Sequence, residues 1–497
     1  MRDMRYLSDD DLRDLCPAEY SSLGSPIPTQ MVSNGEFTPL PQTPDQRRVE
    51  HEIERLADEL APKHGMSRRQ FLASSAGMSA AFVAMNSVFG PVFAASRAEA
   101  ATPGAAESRA RALAGQFIFD CQTHFVRDDY GQQGITGLSQ FAKQFWNPKL
   151  ENEKSIDRLK FANYVKEIYV DSDTKVALLS GSPVDDPFNL FLNNDQIVAA
   201  RTAVNSIARS RRMLAHSIIQ PMSDGWLDEV DRCIETLKPD SWKGYTIGDP
   251  IFLTKRGSNW RLDDEQRVYP FYEKCVKSGI TTVCIHKGLL PADYETSWPE
   301  VWKHATVWDL GKAAKDWPQI TFIVYHSALR PFIELPEASL QQFEDTGRID
   351  WVTDLAEIPQ KFGVRNVHAE LGTCFANTCV THPRLAAAMV GTLIKGLGRD
   401  KVVWGTDSVW YGSPQWQIEA MRRLEIPEDM QKKHGFTPLG AADGPVKSAI
   451  FAGNAAKHYK LDPRTAMTAL GVDQLTAMRD AWKGDPSNLR YGYVANA

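Results

Sequence analysis

From residue 117 onward, short apolar runs recur, each followed by a stretch with helical spacing. The runs are FIFDCQTHF (117–125), VALLSG (176–181), MLAHSIIQP (213–221) and WKGYTIG (242–248). TTVCIHKG (281–288), TFIVYHSA (321–328), VRNVHAELGT (364–373) and KVVWGTDS (401–408) follow. A short apolar run bounded by turn residues reads as a buried strand. From the second run onward the starts lie roughly 30–45 residues apart, which suits a strand–helix unit with its loops. The stretches between them, such as DQIVAARTAVNSIARSRR and LDEVDRCIETLK, place apolar residues at helical period, and YPFYEKCVKSG ends on a glycine suited to stop a helix. Eight such units predict an α/β fold, a (β/α)8 TIM barrel occupying 101–497. No Gly-rich phosphate loop follows the first run, which argues against a doubly wound sheet.

The first hundred residues follow another pattern. Residues 1–45 are rich in Pro, Ser and Thr with little periodicity and are expected to be disordered. DQRRVEHEIERLADELAPKHG then places Val49, Ile53, Leu56 and Leu60 at helical spacing, so 1–65 reads as a leader with one short helix. At Met66 begins MSRRQFLASSAGMSAAFVAMNSVFGPVFAASRAEAATPG. It has twin arginines (Arg68, Arg69), Phe71-Leu72, a weakly apolar run to about Ala95, and the small-x-small site Ala98-Glu99-Ala100. This resembles a twin-arginine export signal over 66–100, which implies delivery to the periplasm by that machinery and cleavage near Ala100. The alternative is an uncleaved membrane anchor, against which the Ser, Gly, Asn and Pro of the run count. Met1 and Met66 both stand as starts.

Composition narrows the function. A net charge of −6, with no Lys/Arg cluster of the required size after residue 110, gives no reason to expect nucleic-acid binding. Seven cysteines without a C-x-x-C exclude a disulfide scaffold and a zinc ribbon. The spacing of Cys374 and Cys379 admits a local disulfide without establishing one.

In a barrel the chemistry sits at the C-terminal ends of the strands. Those ends carry Gln122 and His124, then His286-Lys287, His326, Glu370 and Asp407. Alternation puts Gln122 and His124 on the barrel side, with Cys121 and Thr123 turned outward. Three histidines and an aspartate from four strands can thus converge above the barrel.

The pieces FIFDCQTHF, WRLDDEQRVYPFYEKCVKSGITTVCIHKG, FIVYHSAL, VVWGTDSVW and IFAGNAAKHYKL, in this order, resemble the amidohydrolase superfamily. The nearest likeness is to its amidohydrolase-related branch, which includes aminocarboxymuconate-semialdehyde decarboxylase and aromatic-acid decarboxylases. The resemblance implies that His124, His286 and Asp407 are metal ligands and that His326 is the catalytic histidine. Gln122 stands where the family has the first histidine of D-x-H-x-H. The implied cofactor is a divalent metal, zinc first, with manganese more competitive as the site gains oxygen. Gln122 would lend a carbonyl oxygen or hold the bound water.

The main expectation is a hydrolase that opens an amide, ester or lactone bond of a small cyclic or aromatic substrate by metal-activated water, with His326 and Asp407 moving the proton. The alternative is a non-oxidative decarboxylase in which Lys287 or Arg330 holds the substrate carboxylate. A third reading is a barrel that binds a ligand without turnover. Glu370 is expected in the wall of the site. Tyr130, Phe141, Phe145 and Trp146 are expected to cover its mouth. The partners expected are a small-molecule substrate and the export machinery, with no nucleic acid; a homo-oligomer fits the class.

Overall fold

The computed structural model describes residues 25–30, 42–130, 159–184, 190–248, 258–289, 294–297, 299–330 and 336–482. Phe141, Phe145, Trp146 and most of the leader expected to be disordered lie outside them. The eight strands are β1 (Phe119–Thr123), β2 (Val176–Leu179), β3 (Met213–Ile218), β4 (Ser241–Tyr245), β5 (Thr282–His286), β6 (Thr321–Tyr325), β7 (Val367–Glu370) and β8 (Val402–Val403). They pair in parallel in chain order, as strand–helix–strand repeats dictate. The ends of the sheet meet: Cys121 N donates to Trp404 O (3.0 Å) and Asp407 N to Gln122 O (2.9 Å). The expected TIM barrel is therefore the fold.

Inside the barrel Phe119, Cys121, Val176, Leu178, Leu214, Cys284, Ile323, Tyr325 and Val403 pack together. Ala452, Ala455 and Tyr459, from the stretch that closes the chain onto the barrel, join them from below. Cys121 corrects the alternation argument. It lies in this interior cluster, while the Thr123 hydroxyl meets Tyr164 OH at 2.9 Å on the helical side. The reason is a register slip in β1 between Asp120 and Thr123, a bulge that puts consecutive side chains on one side. Cys374 and Cys379 are not disulfide-bonded: both lie in the helix Gly372–Thr381, where Cys374 Sγ donates to His326 O.

The stretch expected as leader and export signal is folded. Helices α1 (Pro44–Leu60), α2 (Arg68–Leu72), α3 (Ser75–Phe89), α4 (Arg97–Ala101) and α5 (Ala105–Leu113) form a strap on the barrel. Thr43 caps α1 with Gln46 reciprocating, and Ser67 and Gln70 do the same for α2. Ala76, Ala80, Ala81, Phe82, Ala84 and Met85 of α3 are buried. Phe93 bridges to Leu424, and Glu99 holds the buried Arg423 at 2.6 Å. Of the signal-like residues, Arg68 pairs with Glu54 (3.3 Å), while Phe71, Leu72 and Ala100 are buried. Among the described residues no helix is long and apolar enough to cross a membrane.

Candidate active site

Five buried side chains meet at the C-terminal ends of β1, β5, β6 and β8: Gln122, His124, His286, His326 and Asp407. His124 is oriented by its Nδ1, 2.9 Å from Ser180 O, which leaves Nε2 facing Asp407 Oδ1 at 3.1 Å. The His286 and His326 rings meet edge to face at 4.7 Å. The Gln122 amide nitrogen is the hub. It lies 2.9 Å from Asp407 Oδ1, 3.3 Å from His326 Nε2 and 3.5 Å from His124 Nε2. His326 (φ 60°) and Asp407 (φ 59°) both stand in the left-handed region, which costs free energy in a non-glycine residue and turns their side chains in where the strands end.

Asp407 is bonded through both oxygens. Oδ1 takes Gln122 and His124, and Oδ2 accepts from the Thr373 hydroxyl. Burial alone would raise its pKa, but the bond from His124, the nearby histidines and Thr373 hold it below the usual carboxylate range. Burial pushes His326 down to about 3 and His286 well below the ordinary imidazole value, so neither charges readily near neutrality. Behind them Glu370 is fully buried; its Oε2 accepts from His326 N (3.0 Å), and burial pushes its carboxyl well up. Two glycines make room for that carboxyl. A Cβ on Gly405 would lie 1.9 Å from Glu370 Oε1, and one on Gly372 within 2.9 Å of Gln122, His326 and Glu370.

Aromatic rings line the cluster. Tyr245 stacks on His286 (4.3 Å, 17°) and Trp410 on His124 (5.6 Å, 25°). Phe191 leans on Trp410, and Tyr130 on Phe191.

The structure thus brings together Gln122, His124, His286, His326 and Asp407, with Glu370 directly behind. Lys287 and Arg330 are placed differently from the expectation. Lys287, one position past the inward His286, turns to the helical side, where Asp309 Oδ1 and His304 O take its ammonium, both at 2.8 Å. Arg330 is half-exposed and held by Glu295 (2.9 Å) and Asp350 (3.1 Å). Neither is poised to hold a substrate carboxylate at the cluster. Sequence reasoning passed over Tyr245, Thr373 and Trp410. Alternation along WKGYTIG carried a signal for Tyr245, since it shares the inward face with Lys243; Thr373 and Trp410 lie beyond strand ends, where no periodicity applies.

The donors of the expected metal site are present, but their arrangement does not hold an ion. Among the described residues no group of three or more His, Cys, Asp or Glu is set to bind a metal. The amide nitrogen of Gln122 stands between the donors instead.

Fold and site together define a barrel enzyme whose polar centre lies at the strand ends. The chain belongs to the amidohydrolase family, whose pattern matches residues 119–461. Among curated proteins, no sequence matches it. Solved structures do. One is an uncharacterised TIM-barrel protein of Bordetella bronchiseptica, 13% identical, with a TM-score of 0.44 over 71% of this chain and 99% of that one. Another is 5-carboxyvanillate decarboxylase of Novosphingobium aromaticivorans with bound manganese and a nitrobenzoic acid, 14% identical, TM-score 0.41, over 70% and 98%. A third is 2,6-dihydroxybenzoate decarboxylase of Rhizobium, 14% identical, TM-score 0.36, over 69% and 99%.

The expectation of an amide, ester or lactone hydrolase is corrected here. The two of these structures with a named reaction are decarboxylases, one of them with bound manganese.

Proposed function

We propose that the chain is a non-oxidative decarboxylase of a small aromatic carboxylic acid. The observation that supports this best is the single central carboxylate, Asp407, committed through both oxygens and set between aromatic-backed histidines. Stacked rings over His124 and His286 suit a flat aromatic substrate. In the reaction the bond from ring to carboxylate breaks, its electron pair stays with the ring carbon, and a proton must reach that carbon. A substrate carboxylate beside Asp407 adds a second negative charge, and like charges at close range raise the proton affinity of both. Asp407 then takes up a proton from solvent and delivers it to the vacated carbon as carbon dioxide leaves, with His326 beside it. Burial of the cluster limits the water that can compete for the ring carbon.

The test is a panel of hydroxylated benzoic acids assayed for carbon dioxide release, run beside esters, lactones and amides. Carbon dioxide from one or more of the acids is the expected result. Turnover confined to the esters, lactones or amides would overturn the reading.

A further inference from the structure

The Tyr245 and His286 rings stack at 4.3 Å and 17°, and the two residues are partners across β4 and β5. Both strands end there, so the ladder that aligns them stops at the stack. The next residue on each strand, Thr246 and Lys287, turns to the helical side by alternation. These two outward side chains converge on one atom. Thr246 Oγ1 donates to His304 O at 2.6 Å, and Lys287 Nζ donates to it at 2.8 Å. A carbonyl oxygen has two lone pairs, so the His304 carbonyl is fully used. Gly288 N donates to the neighbouring Ala305 O at 2.8 Å. The short turn Trp302–Ala305 thus spans the ends of both strands from behind, as a crossbar.

Other bonds close this arrangement into a ring. His304 Nδ1 donates to Trp260 O at 2.8 Å, and Trp260 N donates to Thr246 O at 2.9 Å. Trp260 comes this close because β4 carries Gly244, where a Cβ would stand 2.8 Å from the indole. Lys287 gives a further bond to Asp309 Oδ1 at 2.8 Å, and Asp309 Oδ2 accepts from Leu262 N at 2.9 Å. Thr246, Lys287 and Asp309 are wholly buried, and a satisfied polar network in such surroundings is rigid.

We propose that Thr246 and Lys287 are positioning residues. Through the shared His304 carbonyl they fix the two strand ends at one spacing, and so they set the Tyr245–His286 stack as a flat wall of the substrate slot. The wall selects for a planar ring, and the crossbar behind it keeps that selectivity. The choice of an aromatic acid as ligand rests on the function proposed above, but the stack itself is measured without any ligand.

The test compares the full chain with Thr246→Val and with the double variant Lys287→Met/Asp309→Leu. Crystal structures read the stack, and calorimetry with 4-nitrobenzoate, whose electron-poor ring resists protonation, reads the slot. Valine keeps the branched shape of threonine without the hydroxyl, and the double variant leaves no buried charge unpaired. Both are expected to lose the near-parallel stack at 4.3 Å and to bind the probe about fivefold or more weakly, the scale of one lost hydrogen bond. Thr246→Ser is expected to restore both, which a space-filling role for the threonine would not do. Should the double variant not fold, Thr246→Val and Thr246→Ser carry the test. An unchanged stack in Thr246→Val, or an altered stack with unchanged affinity for the probe, would overturn the proposal. No binding of the probe by the unmodified chain would overturn the slot, and the aromatic-acid reading with it, while an altered stack in the variants would still support the crossbar.

Discussion

Thr373 has one hydroxyl proton and two close neighbours. Its Oγ1 contacts Asp407 Oδ2 and lies 2.6 Å from Tyr411 OH. An ionised carboxylate only accepts, so Thr373 donates to Asp407 and Tyr411 donates to Thr373. This chain of donors aims the Asp407 carboxylate. Thr373→Val should lower kcat for decarboxylation by about tenfold or more while KM moves little, as expected when a charge-assisted bond is lost. Thr373→Ser should restore most of the rate, which a purely space-filling role for the threonine would not predict. Gly405→Ala should unfold the chain or abolish activity, because the added carbon would lie 1.9 Å from a buried Glu370 oxygen; soluble expression and melting measure it. At this scale the sequence showed the ends of the strands well. His124, His286, His326 and Asp407 were legible because a polar residue ending an apolar run has few other uses. Thr373, Tyr245 and Trp410 were not, because their roles depend on which side chain faces them. Lys287 shows the same limit: its neighbour His286 marked the position, but its partner Asp309 lies on a distant stretch of chain.

At the scale of elements, the strap and β1 teach different lessons. All eight strands were readable from apolar runs, since each is short, buried and bounded by turns. The bulge in β1 was not, because an extra residue leaves no mark in an alternation only five residues long. The signal-like segment is folded, and its composition allows that. Weakly apolar helices rich in Ala, Ser and Gly suit an export signal, and they also suit close packing. A Cβ on Gly77 would lie 2.2 Å from the Phe71 carbonyl, so α3 lies tight on its neighbour. The strap contributes Phe71, Leu72, Phe82, Met85 and Phe93 to the core, at roughly 1.5–3 kcal/mol for each large apolar side chain buried. That sum is comparable to the net stability of a typical domain. A chain beginning at Ala101 should therefore melt at least ~10 °C below the intact chain or fail to fold, and Arg423, deprived of Glu99, would add to the loss. Equal melting points for the two chains would show the strap to be dispensable.

At the scale of the whole molecule, the chain is closed by the stretch after β8, fastened to β7 through His458 Nε2 and His368 Nε2 at 2.9 Å. One ring must donate and the other accept, so the pair requires at least one neutral ring. Burial pushes His458 down to about 4 and His368 well below its ordinary value. For a base held low in the folded state, the unfolded chain binds more protons between the two values. Stability is then full above about pH 6.5 and falls as pH drops toward 4, by on the order of 1–3 kcal/mol for His458. Urea midpoints at pH 7 and pH 5 should show the fall, and His458→Asn should flatten it. The barrel, its closing stretch and its strap together place one carboxylate among three histidines and aromatic rings, and the proposed decarboxylation rests on that placement. The most direct test measures carbon dioxide and solvent isotope together. Hydroxybenzoic acids are incubated with the intact chain in deuterated water, beside Asp407→Asn. The account predicts one carbon dioxide per acid consumed, one deuterium at the vacated ring carbon, and a rate at least about a hundredfold lower in the variant. Hydrolysis of an ester, lactone or amide with no carbon dioxide from any acid, or an undiminished rate in Asp407→Asn, would contradict it.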